Sequence, residues 1–169
     1  MDRNGRNAEF SDFVASRWPH LVRSAVLLGC SHAEAEDVAQ AALTKCLASW
    51  SKVRRADDRD AYVHRVLFTT FISARRRRWT QERPVADLPE QTYDDAFEAV
   101  DGTDAIARSL SRLTPDQRAA VVLRYYAHLT EQQMAVVLDV APGTVKSRLS
   151  RALTALAADP DLTELRGAP

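Results

Sequence analysis

Between Pro142 and Ala158 the chain places Lys146, Ser147, Ser150 and Arg151 on the outward faces of a helix whose inward positions are Val145 and Leu149, four apart. Lysine and arginine donate to phosphate oxygens and guanine edges, and serine hydroxyls reach either. No acid occurs in this span, whereas a helix that is merely solvated normally mixes the two signs. Polyanion binding is the chemistry this set can perform.

A second set is Arg75, Arg76, Arg77 and Arg78, consecutive at the end of an apolar-periodic segment that also holds Tyr62, Phe68, Phe71 and Trp79. One or two cations suffice to complement a helix C-terminus, so four in a row favour a phosphate track. Interleaved rings would suit stacking on unpaired bases. Phe71 reads as core, whereas Tyr62 and Trp79 fit either role. Catalytic chemistry finds no support: there is no nucleophile-base pair, and His20, His32, His64 and His128 are scattered. Cys30, His32 and Cys46 have poor ligand spacing and no fourth partner, so neither a metal nor another cofactor is expected, and the cysteines read as small apolar residues.

The elements that must position these groups follow from periodicity and caps. Thr130 with Gln133 forms a capping box, so a short helix starts at Glu131 and buries Met134, Val137 and Leu138. Ala135 is small enough for a close crossing, Asp139 accepts a left-handed turn, Val140 plugs it, and Pro142 suits the first turn of the next helix. That is a helix-turn-helix. Upstream, Phe10, Phe13, Val14 and Trp18 make one stripe, interrupted at Pro19, and Leu21, Val22, Val26 and Leu27 continue it to a stop at Gly29. A helix over 33–49, capped by Ser31, buries Val38, Ala42, Leu43 and Leu47. A third begins near Asp60 and runs to about Trp79, after a charged loop over 52–59.

The net charge of zero conceals segregation. Residues 51–84 carry 10 basic and 4 acidic side chains, whereas residues 85–104 hold seven acids and no Lys or Arg. Asp87, Glu90, Asp94, Asp95, Glu98, Asp101 and Asp104 therefore mark a flexible acidic linker. The fold class is all-α, with two small helical domains over 8–80 and 105–158, a linker over 81–104 and a frayed tail over 159–169. A hydrophobic fraction of 46% supports packed cores. Neither a membrane-spanning run nor an apolar signal core is present, so a cytoplasmic protein without membrane contact is expected.

The motifs AEDVAQAAL (35–43), AYVHRVLFTTFISARRRRW (61–79), LTPDQRAAVVLRYYAHLT (113–130) and APGTVKSRLSRAL (141–153) resemble the group IV, or extracytoplasmic-function (ECF), sigma factors of the sigma-70 family, in an actinobacterial-like form. The resemblance covers roughly residues 10–156. It implies sigma region 2 over 8–80 and sigma region 4 over 105–158. It implies as partners core RNA polymerase, through the clamp helices and flap of its largest subunits, promoter DNA as duplex and melted non-template strand, and an anti-sigma factor.

By that resemblance Asp37 and Gln40, with Leu43 and Lys45 nearby, would bind polymerase; Ala41 stands where the family often has Glu. The −10 element would be opened and held by Arg54, Arg55, Asp57, Asp58 and Tyr62, since a base extracted from its stack needs a pocket that replaces stacking and hydrogen bonds. Thr69 stands where Asn is common, removing a bidentate amide. Arg65 and Arg75 to Arg78 would track the backbone. For the −35 element, Lys146, Ser147, Ser150 and Arg151 would read bases, Thr144 and Arg148 would clamp phosphates, and Arg124 would join them. The acidic linker would pass near the active-site cleft and RNA exit path and imitate nascent RNA. The alternative is a stand-alone helix-turn-helix regulator that never binds polymerase, although neither dimerising heptads nor an effector domain is evident.

Overall fold

The computed structural model describes residues 3–81 and 101–167, with the side chains of residues 3, 79, 81, 101–104 and 165–167 excepted. Every regular element among the described residues is helical: α1 (Arg3–Leu27), α2 (His32–Ala48), α3 (Trp50–Arg55), α4 (Arg59–Gln81), α5 (Asp101–Ser111), α6 (Pro115–Val121), a π-helical turn (Val122–Tyr126), α7 (Glu131–Leu138), α8 (Pro142–Ala157) and α9 (Pro160–Gly167). The chain divides into two compact units, Met1–Val26 with His32–Glu90, and Leu27–Ser31 with Gln91–Pro169. Most of the acidic stretch, from Asp87 to Glu98, lies outside the described residues. Its expected bounds of 81 and 104 are too wide, because α4 extends to Gln81 and α5 begins at Asp101.

In the first unit α2 lies against α4. Ala35, Ala39 and Ala42 are fully buried and lack bulk, so the two backbones approach while Val38, Leu43, Val63, Leu67, Phe68 and Phe71 fill the rest. The start of α1 is fastened by Phe10 and Phe13, whose ring centroids stand 5.2 and 5.3 Å from that of the buried Trp50. α1 does not break at Pro19 as the sequence suggests. Pro19 and Ala15, whose carbonyl loses its donor, are both exposed, so water can replace the missing bond while packing holds the helix on either side. Gly29, at φ 111°, supplies the left-handed corner before α2.

The expected loop over 52–59 is mostly α3. Trp50 and Val53, three apart and buried, give this single turn a face to pack, and Lys52, Arg54 and Arg55 end it with favourable charge. Only residues 56–58 remain irregular, and Asp58 caps α4 by accepting the Ala61 N–H at 2.8 Å. His64 is buried beneath α1, its Nδ1 2.9 Å from the Asp60 carbonyl and its Nε2 3.2 Å from Ser24 Oγ. Burial holds this imidazole below its ordinary pKa.

In the second unit Thr114 and Gln117 form a capping box at the start of α6. The buried Arg118 donates to the Leu110 and Ser111 carbonyls at 2.9 and 3.0 Å, closing the open end of α5. Residues 159–167, expected in a frayed tail over 159–169, instead form the start and body of a helix. Asp159 accepts the Asp161 N–H at 3.0 Å and Pro160 opens α9, an Asp-Pro start that the sequence displays. Arg112 bonds both oxygens of the buried Asp159 at 2.7 and 2.8 Å and reaches Asp161 at 2.9 Å. Arg112 holds the Asp159 carboxyl below its ordinary pKa.

Candidate nucleic-acid and polymerase interfaces

The helix-turn-helix is built almost wholly from local signals. Thr130 Oγ1 accepts the Gln133 N–H at 3.2 Å while Gln133 Oε1 accepts the Thr130 N–H at 2.8 Å. Asp139 ends α7 in the left-handed region at φ 53°, and the Val140 N–H returns to the Ala135 carbonyl at 3.0 Å. Met134, Ala135 and Val137 of α7 meet Val145, Leu149 and Ala152 of α8 in a shared core, with Leu138 and Val140 half-buried at its margin. Pro142 stands in the first turn of α8, and a Cβ on Gly143 would meet nothing within 4 Å, so that turn is bare.

This packing turns Lys146, Ser147, Ser150 and Arg151 outward and exposed, as their spacing predicts. The remaining candidates sit differently. Thr144 is half-buried, and its carbonyl accepts from Ser147 Oγ at 3.2 Å. Arg148 lies on the flank toward α6, with 22% of its side chain exposed and its guanidinium 3.1 Å from Asp116. Arg124 is exposed, yet its guanidinium donates to the Leu129 carbonyl at 2.9 Å and ties down the turn before α7. The π-helical turn that delivers Arg124 was not evident in the sequence; its widened winding lets the Ala127 N–H reach back to Val122 at 3.0 Å.

On α4 the buried Val63, Leu67, Thr70 and Phe71 leave Arg65, Thr69 and Arg76 on the opposite, exposed side, with the half-buried Tyr62 in line. Thr69 bends its hydroxyl onto the Arg65 and Val66 carbonyls at 3.0 and 3.1 Å. The four arginines separate. Arg75 lies 5.3 Å over the Phe71 ring and Arg78 pairs with Glu34 of α2, whereas Arg76 and Arg77 stand exposed without an ion pair among the described residues. The Trp79 ring lies outside the described residues. Arg54 pairs with Glu9 at 3.2 Å, and Arg55 and Asp57 are exposed. Asp58, expected in a base pocket, is occupied as the cap of α4.

On α2, Asp37 and Gln40 are exposed on one face. Thr44, three to four residues on from Gln40 and Ala41, shares that face and was missed, although the same helical spacing points to it. Leu43 must be removed from the surface set, because it is 5% exposed and packs in the core beside α4. Lys45 spans to Thr70 Oγ1 at 3.0 Å, so its ammonium braces α2 against α4.

One unit carries a helix-turn-helix with an exposed second helix and the other bears an arginine-lined face, which defines the class: a two-unit, all-helical helix-turn-helix protein. Residues 103–156 match the family model described as Sigma-70, region 4. RNA polymerase sigma-E factor of Streptomyces coelicolor is 36% identical over 152 residues, which cover 90% of this chain and 86% of that one. ECF RNA polymerase sigma factor SigL of Mycobacterium tuberculosis is 32% identical over 157 residues, covering 88% and 85%. The chain belongs to the ECF sigma factors of RNA polymerase. Among solved structures, the sigma factor RpoE in complex with the anti-sigma factor NepR from Bartonella quintana matches with a TM-score of 0.67 and 27% identity, covering 88% of this chain and 94% of that one. CnrH, solved with the cytosolic domain of CnrY, shares the fold at a TM-score of 0.60 and 19% identity.

Proposed function

We propose that this chain binds core RNA polymerase and directs it to promoters, reading a −35 element as duplex with α8 and a −10 element as opened strand with the exposed face of α4. The observation that carries this reading is the outward row of Lys146, Ser147, Ser150 and Arg151 on a braced helix-turn-helix, in a chain whose relatives are initiation factors. On α4, Arg65, Arg76 and Arg77 supply the phosphate track, and Tyr62 with Arg55 and Asp57 lies at the end where a base is held out of its stack. Arg75 and Arg78 serve the fold more than the DNA. Asp37, Gln40 and Thr44 form the polymerase-facing row of α2.

The protein itself catalyses nothing; the polymerase performs the chemistry, in the cytoplasm. No helix among the described residues is long and apolar enough to cross a membrane. By likeness to the neighbour solved with NepR, an anti-sigma factor holds this chain until a signal frees it. The decisive experiment is transcription in vitro with core polymerase on a genomic library, sequencing the 5′ ends. Discrete start sites that depend on the chain, preceded by a common pair of elements, are expected. Starts that need another sigma factor would instead identify a stand-alone regulator.

A further inference from the structure

The recognition helix carries three cations, Lys146, Arg148 and Arg151. Two of them face an acid on a bracing helix: Arg148 stands 3.1 Å from Asp116 in the first turn of α6, and Lys146 stands 3.9 Å from Glu131 in the first turn of α7. Arg151 makes no ion pair among the described residues. Both acids lie within their own unit, and each remains substantially exposed, with 69% of the Asp116 side chain and 38% of the Glu131 side chain accessible.

From this arrangement, and resting on the −35 reading above, we infer that Asp116 and Glu131 keep this chain off non-promoter duplex by opposing indiscriminate attraction to the DNA backbone. Any duplex offers phosphates, and affinity for them grows with each cation free to displace a counterion. An acid beside the cation cancels part of that gain and repels phosphate directly. The opposition is the same for every sequence, whereas base contacts from Ser147, Ser150 and Arg151 are gained only on the right one. A uniform repulsive element leaves the ratio of the two affinities unchanged but lowers both, so at a given concentration the low-affinity competitors fall below useful occupancy first. Asp116 does a second thing. It holds the Arg148 guanidinium toward α6, away from the outward row, so Arg148 is a positioning strut and not a free clamp.

Both acids also complement their own helix dipoles and brace α8. If bracing were their whole role, neutralising them would loosen the helix and weaken all DNA binding. The inference predicts the opposite sign. Full-length Asp116→Asn and Glu131→Gln chains are compared with wild type by fluorescence anisotropy on a short duplex of randomised sequence, with Glu164→Gln on α9 as the control for lost charge at a distance. At about 50 mM salt each variant is expected to bind about two- to fivefold tighter than wild type, with a salt slope steeper by up to about 1, while the control matches wild type. At a holoenzyme concentration that leaves random duplex almost unbound by wild type, selection from the same pool with the variants should then carry over more sequences that lack the −35 motif. Unchanged or weaker binding by both variants, or an equal gain in the control, overturns the inference. If Arg151→Ala and wild type select the same sequences, the −35 reading itself fails, and this inference with it.

Discussion

The helix-turn-helix and the first unit reach similar helical packing by opposite routes. In and just before the helix-turn-helix, the decisive bonds join residues three to five apart: Thr130 with Gln133, Val140 with Ala135, Arg124 with Leu129. In the first unit they join residues far apart in the chain, such as Lys45 with Thr70, Arg78 with Glu34, Arg54 with Glu9, and Phe10 with Trp50. Local bonds leave the outward side chains of α8 exposed, so spacing alone reveals them. Distant bonds recruit surface-looking residues into structure, and spacing overstates what remains for a ligand.

The sharpest way to break this comparison is Trp50→Ala. Trp50 is 1% exposed and is the point where two rings of α1 meet α3, so its loss should cost about 3–5 kcal/mol, the range for removing a buried aromatic. Hydrogen exchange on the full chain should then show α1, α3 and α4 amides losing protection while α7 and α8 keep theirs. Equal loss in both units would show that the distant contacts support the whole chain and not the first unit alone.

The same contrast explains what could be read in the sequence. The helix-turn-helix was legible from Thr130 to Arg151 because a cap, a left-handed Asp and a first-turn Pro act through their nearest neighbours. Leu43 reads both as core and as a partner contact, since a motif match cannot say which side of α2 meets α4. Arg78 looked like its three neighbours until α2 brought Glu34 beside it. The α3 turn was hidden because four of its six residues are polar, and only the placement of Trp50 and Val53 against their neighbours makes it helical. The end of the chain is the exception, for the Asp159-Pro160 start is local and readable, yet the basic residues that hold it, Arg108 and Arg112, lie in and just after α5.

Next in size is Arg151→Ala. Because Arg151 stands on the exposed row, losing it should cost about 1–3 kcal/mol of discrimination at one −35 position and leave polymerase binding intact, as read by start-site mapping and co-purification. An unchanged promoter profile would overturn the −35 reading of this row. Smaller again is Thr130→Ala, which removes half of a reciprocal cap and should lower stability by about 1 kcal/mol in a denaturant melt. Its effect should stay with α7 and α8, which sharpens the claim that the helix-turn-helix is locally determined.

The last test has no effect at neutral pH and grows only with acid. His64, buried among Ser24, the His20 ring, Asp60 and Arg17, is held below its ordinary pKa by burial, so the folded first unit resists a proton that the unfolded chain accepts near pH 6.5. Stability of that unit is therefore full above about pH 6.5 and declines as pH falls from there toward the folded value. The second unit responds to a different group. Arg112 lowers the Asp159 pKa, so its contribution persists above about 3.9 and is lost only as pH falls through the lower folded value. Acid titration followed residue by residue should show α1 and α4 loosening before α5 and α9, with His64→Gln abolishing the earlier phase. Simultaneous loosening of all four helices would mean that the two units do not titrate independently, and that the distant contacts of the first unit set the stability of both.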